Sequence, residues 1–560
     1  MQNHAYGCEI MDESSLSLSL SRARGLFLFS SRSFRSSFSV RLCCTVIVLL
    51  MWVAYIVAGA VDKFVITPMR IKRIMNSQGV KGPSSHFLLG NLPEMIMQKA
   101  ETKKDMKTGD YDIVSHVQPF HVQNCQAYGK SYLWWFGWEP RITITDIDLI
   151  KQVLQNKDHA FTKSQMMLKY TVPVIGKGLV TTDGEEWALH RRIVNPAFHH
   201  EKLKAMVIPM EKSASSMAHE WEKKVKDGGG NVELEVGDYM THVTADIIAL
   251  TAFGSNYEKG KKVFEQQVAL INLMDQRDKQ QFSAIPGYSF LPIPLNIKII
   301  LTQIAISKSL KEIIQSRKDV VKGANISYGN DLLGLMLSAT IEENAIKGGK
   351  VHFGMQALID NCKTFFIAGH ETTSTLLTWA MMLLGSHTIW QERAREEVIE
   401  ICGHGDHPID ANMLNKLKTL TMILNETLRL FSPISNQNRE VAMDMKLGDL
   451  HIPKGLNLYF PRLAIHHDPE LWGADVHEFK PERFVDGIAK ASKNPFAFMP
   501  FSFGPRFCVG QGFALEEAKL VLVVILQRFR FHLSPNYRHA PHDKVTVKPK
   551  YGVPMILECL

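Results

Sequence analysis

Cys508 lies in the stretch "PFSFGPRFCVGQGFALEEAK", Pro500 to Lys519. Gly504 and Gly510 flank it and permit positive φ in a tight loop. Such a loop can aim backbone N–H groups at one sulfur. Helical pattern follows at once in "FALEEAKLVLVVILQRF", and a helix start brings partial positive charge. Together these effects predict a thiolate rather than a thiol. A redox-sensing cysteine wants exposure and a resolving thiol, and none is adjacent. A nucleophilic cysteine wants a paired base, and no histidine is near it in sequence. One could still arrive through folding, but a thiolate in a bed of Phe501, Phe503, Phe507 and Phe513 fits soft ligation of a metal held in a macrocycle.

A second stretch, "FFIAGHETTSTLLTWAMMLL" (Phe365–Leu384), breaks the rules of an apolar helix. With its lead-in from Met355 it gives about 30 residues of helical pattern, roughly 45 Å long. Mid-helix Gly369 costs about 1 kcal/mol against alanine. A desolvated Glu371 costs more unless it is paired. Ala368 and Gly369 would let a flat ligand approach the backbone, and Thr372 can bond the Ala368 carbonyl one turn back. A buried helix with a satisfied acid–threonine pair explains the same residues. Third, "NETLRLFSP" places Glu426 and Arg429 three residues apart on one helix face. Such pairs are usually weak surface contacts. The later "FKPERF" adds Arg483 among apolar residues, and an Arg–Glu–Arg cluster there would be a buried brace.

These residues need a large, mostly helical body to position them. Segments such as "ITDIDLIKQVLQ" and "EKLKAMVIPMEKSASSMAHEWEKKV" carry the helical period. Strand-like pieces are few and cluster late, in "KLGDLHIPKGLNLYF" and "KVTVKPKYGVPMILE". Of 560 residues, 64 are Lys or Arg and 56 are Asp or Glu, a net charge of +8. With no basic stripe interleaved with aromatics, nucleic acid is not an expected partner. The eight cysteines form no CxxC pair and no disulfide framework, so reduced thiols are expected. Residues 42–61 carry no charge and have the length of a membrane helix. A cleaved signal peptide is the alternative, against which the run is long and starts far from the N-terminus. Residues 1–41 form a leader whose Ser/Arg-rich part has a transit-peptide composition and equally suits a disordered tail. Arginines and lysines flank both sides of the apolar run, so charge does not fix its orientation. A basic connector, 62–90, then leads into a body from 91 to 560 without a second linker.

With these residues in hand, the chain resembles the cytochrome P-450 superfamily of haem-thiolate monooxygenases from about Gly82 to Leu560. F-x-x-G-x-R-x-C-x-G is met by Phe501, Gly504, Arg506, Cys508 and Gly510. The oxygen-helix pattern is met by Ala368, Gly369 and Thr372, and E-x-x-R by Glu426 and Arg429. "PERF" supplies Arg483, and W-x-x-x-R is met by Trp187 and Arg191. The wording of "WALHRRIVNPAF", "AIHHDPELWGADVHEFKPERF" and "GHETTSTLLTW" resembles the plant microsomal branch that modifies hormones, terpenoids and fatty acids. Phe507, Ser432 and Gly512 depart from that branch's usual residues.

The resemblance implies a mainly α fold with small β-sheets behind one N-terminal transmembrane helix. It implies haem b with Cys508 as axial ligand, and Trp187, Arg191, Arg506 and Arg439 on the propionates. Phe501, Gly510 and Ala514 would pack near the haem, with Ala368 and Gly369 on its other side. Glu371 and Thr372 would relay protons to dioxygen, while Glu426, Arg429 and Arg483 are structural. Implied partners are NADPH-cytochrome P-450 reductase, O2, membrane lipid and an apolar small molecule. Arg192, Lys202 and Lys204 are candidates for docking the reductase, or simply a solvated helix face. Substrate contacts are expected from Met166–Ile175, "FSAIPGYSFLPIPL", Phe365, Phe366, Ile434–Asn438 and Tyr551–Pro554. The implied location is the endoplasmic reticulum membrane with the catalytic domain in the cytosol, or a plastid if the leader is a transit peptide. Two rivals stay open: a haem-thiolate isomerase or dehydratase, and a non-catalytic haem-binding sensor.

Overall fold

The computed structural model describes residues 45–560 apart from 103–104, 157–159, 255–256, 281–282, 284, 286, 325–326, 346–351 and 406. The leader 1–41, the first three residues of the apolar run and parts of "FSAIPGYSFLPIPL" lie outside them. The chain divides into two units, Met1–Arg70 and Ile71–Leu560. Described residues of the first are helical from Thr45, with Asp62–Ile66 in the wider π form. The helix Thr45–Ser77, which runs into the second unit, is long and apolar enough to cross a membrane, and its apolar part is unburied.

The second unit starts its core immediately, with Ile71, Met75 and Val80 buried. Its centre is the 32-residue helix Met355–Ser386, the long helix hereafter. Most of its residues are buried on every side. A helix that is apolar all round can only be satisfied inside a large body. Against it pack the helices Val236–Phe253, Gln511–Arg528 and Lys418–Leu430. His200–Asp227 packs in turn on Val236–Phe253 and Gln511–Arg528. Two small-residue contacts set the spacing. A Cβ on Gly369 would come 2.6 Å from Ile248 Cγ1, and one on Gly385 would come 2.3 Å from Met555 Cε.

Strands are peripheral. A five-stranded sheet runs in the order Leu133–Phe136, Glu139–Thr143, Asn457–Phe460, Gln437–Val441, Phe161–Thr162. Its pairs are antiparallel except Glu139–Thr143 with Asn457–Phe460. A three-stranded sheet places Pro554–Cys559 between Asn231–Glu235 and Phe529–Leu533. The expectation that strands cluster late holds for the two-stranded sheets Met445–Leu447 with Leu450–Ile452 and Pro541–Asp543 with Val547–Pro549, whereas the two larger sheets each recruit early strands. "LWWF" and "EPRIT" are buried along almost their whole length, so they lack the alternation that marks a strand in sequence.

Candidate active site

The cysteine loop is tied to its surroundings by backbone and by arginine. The Cys508 N–H donates to the Phe501 carbonyl at 2.9 Å, and the Phe507 N–H to the Gly504 carbonyl at 3.1 Å. Gly504 has φ +76°, and a Cβ there would fall 2.1 Å from the Leu154 carbonyl oxygen. Any other residue would push the loop off its neighbour. Gly510 differs from the expectation. Its φ is −89° and it caps the helix Gln511–Arg528. Its use is the N–H, which bonds the Cys508 sulfur. The second left-handed residue of the loop is Ser502, at φ +58°.

Cys508 is exposed, yet burial by the surrounding protein dominates its titration and pushes the thiol up. The Gly510 N–H, then Arg191 and Arg462, pull it down without reversing the shift. In the unliganded thiol, the loop N–H and the two arginines favour the thiolate and burial opposes it. Desolvation of an anion outweighs one N–H and two partly distant cations. A coordinated cation deprotonates such a thiol outright.

A helix of 11 residues, Gly184–Val194, supplies the arginine contacts. Arg191 Nη1 donates to the Phe507 carbonyl at 2.9 Å, and its guanidinium lies 4.6 Å from the Phe507 ring centroid. The unusual Phe507 thus packs under Arg191. Arg506 donates to the Thr182 carbonyl at 2.9 Å, pairs with Asp183 at 2.7 Å, and stacks 4.4 Å over Trp187. Arg439 is buried in the strand Gln437–Val441, and burial, then Arg506, lowers it to about 10. Sequence reasoning missed two further cations. Lys163 is buried and lowered well below the usual lysine range by burial, then by Arg439 and Arg506. Arg462 is buried and lowered to about 10, by burial and then by Arg439. Neither carries a local motif, so only folding could reveal them.

The charge in this cluster does not balance. Among the described residues, Asp183 is the one acid acting on Lys163, Arg439 and Arg506. Desolvated cations in that excess fit a doubly anionic ligand. Beside them the exposed sulfur suits a soft metal. The donor set therefore fits an iron macrocycle with acidic side arms. Aromatic contacts link this region to the long helix. Phe198 stacks on Phe365 at 5.7 Å and meets Phe513 edge-on at 6.3 Å.

On the long helix, Ala368 is exposed and Thr372 half-buried in the middle of a buried run. They share one face, one turn apart. Thr372 Oγ1 donates to the Ala368 carbonyl at 2.8 Å, as expected from the sequence. Gly369 also makes room for Ile248, because that is where its missing Cβ would point. Glu371 is buried and fully engaged. Lys548 Nζ donates to its Oε2 at 2.8 Å, and Thr546 Oγ1 to its Oε1 at 3.1 Å. These partners stand 177 and 175 residues away, so no sequence spacing pointed to them.

The expected brace is assembled. Arg429 and Glu426 are both 0% exposed and form a bidentate pair, Nε–Oε2 and Nη2–Oε1, each 2.7 Å. Arg429 also donates to the carbonyls of His466 at 3.0 Å, Val476 at 2.8 Å and Glu478 at 3.3 Å. Arg483 lies 3.5 Å from Glu426 and bonds Asp475 at 3.0 Å and the Trp472 carbonyl at 2.9 Å. Phe501 and Ala514 are half-buried beside the loop, and Ala514 N–H bonds the Gly510 carbonyl. Arg192 is exposed, whereas Lys204 is paired with Glu201 at 3.0 Å.

Residues 110–554 match the cytochrome P-450 family model. Echinocystic acid 23-monooxygenase of Saponaria officinalis is 39% identical over 87% of this chain and 94% of its own. A cytokinin hydroxylase of Arabidopsis thaliana is 40% identical over 89% of this chain and 94% of its own. Among solved structures, retinoic acid-bound cyanobacterial CYP120A1 shares the fold, with a TM-score of 0.70 at 24% identity over 86% of this chain and 99% of its own. The chain therefore belongs to the cytochrome P-450 family of monooxygenases.

Proposed function

We propose that this chain is a membrane-anchored monooxygenase in which Cys508 is the axial ligand of haem b. Its reaction inserts one oxygen atom of O2 into a C–H bond of an apolar small molecule of the terpenoid, plant hormone or fatty acid class. Electrons come from NADPH through a separate cytochrome P-450 reductase, for which exposed Arg192 is a docking candidate. The observation that carries this reading is the accessible Cys508 sulfur beside a surplus of buried cations. Haem, when bound, supplies the iron that activates dioxygen.

The chain's own residues bind, orient and move protons. Arg191, Arg439, Arg506 and Lys163 would hold the propionates, with Trp187 fixing the Arg506 plane. Thr372 holds its hydroxyl proton against the Ala368 carbonyl, on the accessible face of the long helix. Glu371 is anchored by Lys548 and Thr546, so its delivery of a proton requires it to exchange the lysine for water or Thr372. The buried aromatics Phe365 and Phe366 and the helix Gln165–Ile175 would exclude water. Relatives named for cytokinin and for echinocystic acid support a small organic substrate.

The apolar helix Thr45–Ser77 supports a membrane anchor. So does a patch of exposed Phe290, Leu291, Ile297, Ile300, Leu301 and Ile304 in the catalytic unit. Its location is the endoplasmic reticulum, single-pass, with the catalytic part in the cytosol. The proposed division is leader 1–41, anchor 42–61, connector 62–90 and haem-binding domain 91–560. The test is the spectrum of the reduced, haem-loaded chain with carbon monoxide. A thiolate-type Soret shift that Cys508→Ser abolishes is expected; a folded, haem-loaded sample without that shift overturns the reading. Substrate class is then tested by a binding screen read from the Soret band, followed by turnover with reductase.

A further inference from the structure

Three potential ligand atoms converge away from the cysteine loop. Asp112 lies just before the helix Val114–Val117, His467 follows the helix Arg462–His466, and His477 precedes the turn Pro481–Phe484. One ligand atom from each lies within 4.8 Å of the other two. His467 Nδ1 and His477 Nδ1 stand 3.3 Å apart, and Asp112 Oδ1 is 3.9 Å from His477 Nδ1.

The backbone holds this arrangement in place. His467 Nε2 lies 2.9 Å from the Leu430 carbonyl, which can only accept, so Nε2 carries the proton. In the neutral ring, Nδ1 therefore presents a lone pair towards His477, as an outer hydrogen bond does for a metal-binding histidine. Arg429 donates to the carbonyls of His466 and Val476, the residues immediately before the two histidines. The buried brace thus fixes the spacing of both imidazoles. The other side is open: the side chains of His477 and Asp112 are 40% and 49% exposed.

Two nitrogens bound tetrahedrally to one zinc ion at about 2.0–2.1 Å stand about 3.3–3.4 Å apart. The observed nitrogen separation matches that edge. A direct hydrogen bond between the imidazoles would account for the nitrogens but not for Asp112. At 3.9 Å its carboxylate is too far from His477 to accept a hydrogen bond. It is well placed to share a cation, and its exposure leaves room to close the remaining distance.

We propose that Asp112, His467 and His477 form a binding site for a borderline divalent transition ion, of which zinc is the reference case. Water completes the coordination from the open side. The ion would fasten the segment around Asp112 to the two brace-held loops. It is separate from the haem-binding residues and asks nothing of Cys508.

The test titrates zinc into the full-length, haem-loaded protein in detergent, with bound zinc measured by equilibrium dialysis and mass spectrometry. Wild type is compared with His477→Ala and Asp112→Asn. Both altered side chains are partly exposed, and the carbon monoxide spectrum checks that each variant keeps its haem site. One saturable site is expected in wild type. His477→Ala should weaken it at least about 100-fold, and Asp112→Asn about tenfold, at or beyond the range for losing an outer partner. Zinc should also raise the urea midpoint of wild type and not that of His477→Ala. Zinc binding that both variants leave unchanged would place the ion elsewhere and overturn the assignment. Absence of saturable binding would overturn it too, leaving a histidine pair joined by a hydrogen bond.

Discussion

Replacing Arg429 with methionine tests the brace and the way its energy is counted. Arg429 makes five hydrogen bonds at 0% exposure, two to Glu426 and three to the carbonyls of His466, Val476 and Glu478. Methionine fills much of the same volume, so the cavity term is small. The Glu426 carboxylate stays buried, with only the Lys480 N–H at 3.1 Å and Arg483 at 3.5 Å. Removing one partner of a buried pair costs about 3–5 kcal/mol. Three carbonyls that lose a charged donor add about 1–3 kcal/mol each if no water reaches them. Those terms overlap, so a loss of about 4–6 kcal/mol is expected, a large part of the 5–15 kcal/mol typical of a domain. The single variant should therefore retain little haem. Adding Glu426→Gln removes the stranded charge and should recover about 1–3 kcal/mol relative to Arg429→Met alone. The assay is urea unfolding of the haem-loaded protein, followed by Soret absorbance and far-ultraviolet circular dichroism. A shift below about 1 kcal/mol for Arg429→Met would refute the reasoning, since it would class the pair with solvated surface contacts. A double variant less stable than the single one would refute the stranded-charge account.

Lys548→Met removes the cation that holds Glu371 at 2.8 Å. It should leave the carbon monoxide spectrum intact while changing the coupling of NADPH to product at least about twofold, as expected when a proton-relay group is repositioned; unchanged coupling would remove Lys548 from the relay. Gly369→Ala places a methyl group 2.6 Å from Ile248 Cγ1. It should destabilise by about 1–3 kcal/mol, less the roughly 1 kcal/mol gained in helix propensity. Ile248→Ala should relieve the clash, and its failure to do so would place the strain elsewhere. Burial, the main cause in each case, lowers His121, His190, His370, His539 and His542 from 6.5 to about 4. Because their folded values are depressed, the unfolded chain binds more protons between pH 6.5 and 4, and stability falls as pH drops through that window. The urea midpoint should decline steadily below pH 6.5; a flat midpoint down to pH 5 would contradict it.

Much of the site was legible because its chemistry is local. Cys508, Gly504 and Arg506 share one loop, and Glu426 and Arg429 one helix face, so spacing alone brings them together. Thr372 bonds one turn back along its own helix, and the structure finds that bond. The apolar run ahead of the catalytic unit was equally plain, since length and absence of charge are properties of the string. Where the structure went beyond the reading, a long-range neighbour decided the outcome. Gly369 makes room for Ile248, and early strands complete both larger sheets.

The sequence by itself determined the helical class, the candidate thiol and the members of the brace, since each rests on residue type and short spacing. Only the tertiary structure decided which cations surround the thiol, what holds Glu371, and where the early strands pair. Lys163 and Arg462, which the sequence did not reveal, come from two separate segments, and Lys548 stands 177 residues from the acid it binds. Charge interactions act through space at a few ångströms whatever the separation along the chain, so no period or motif could have encoded them.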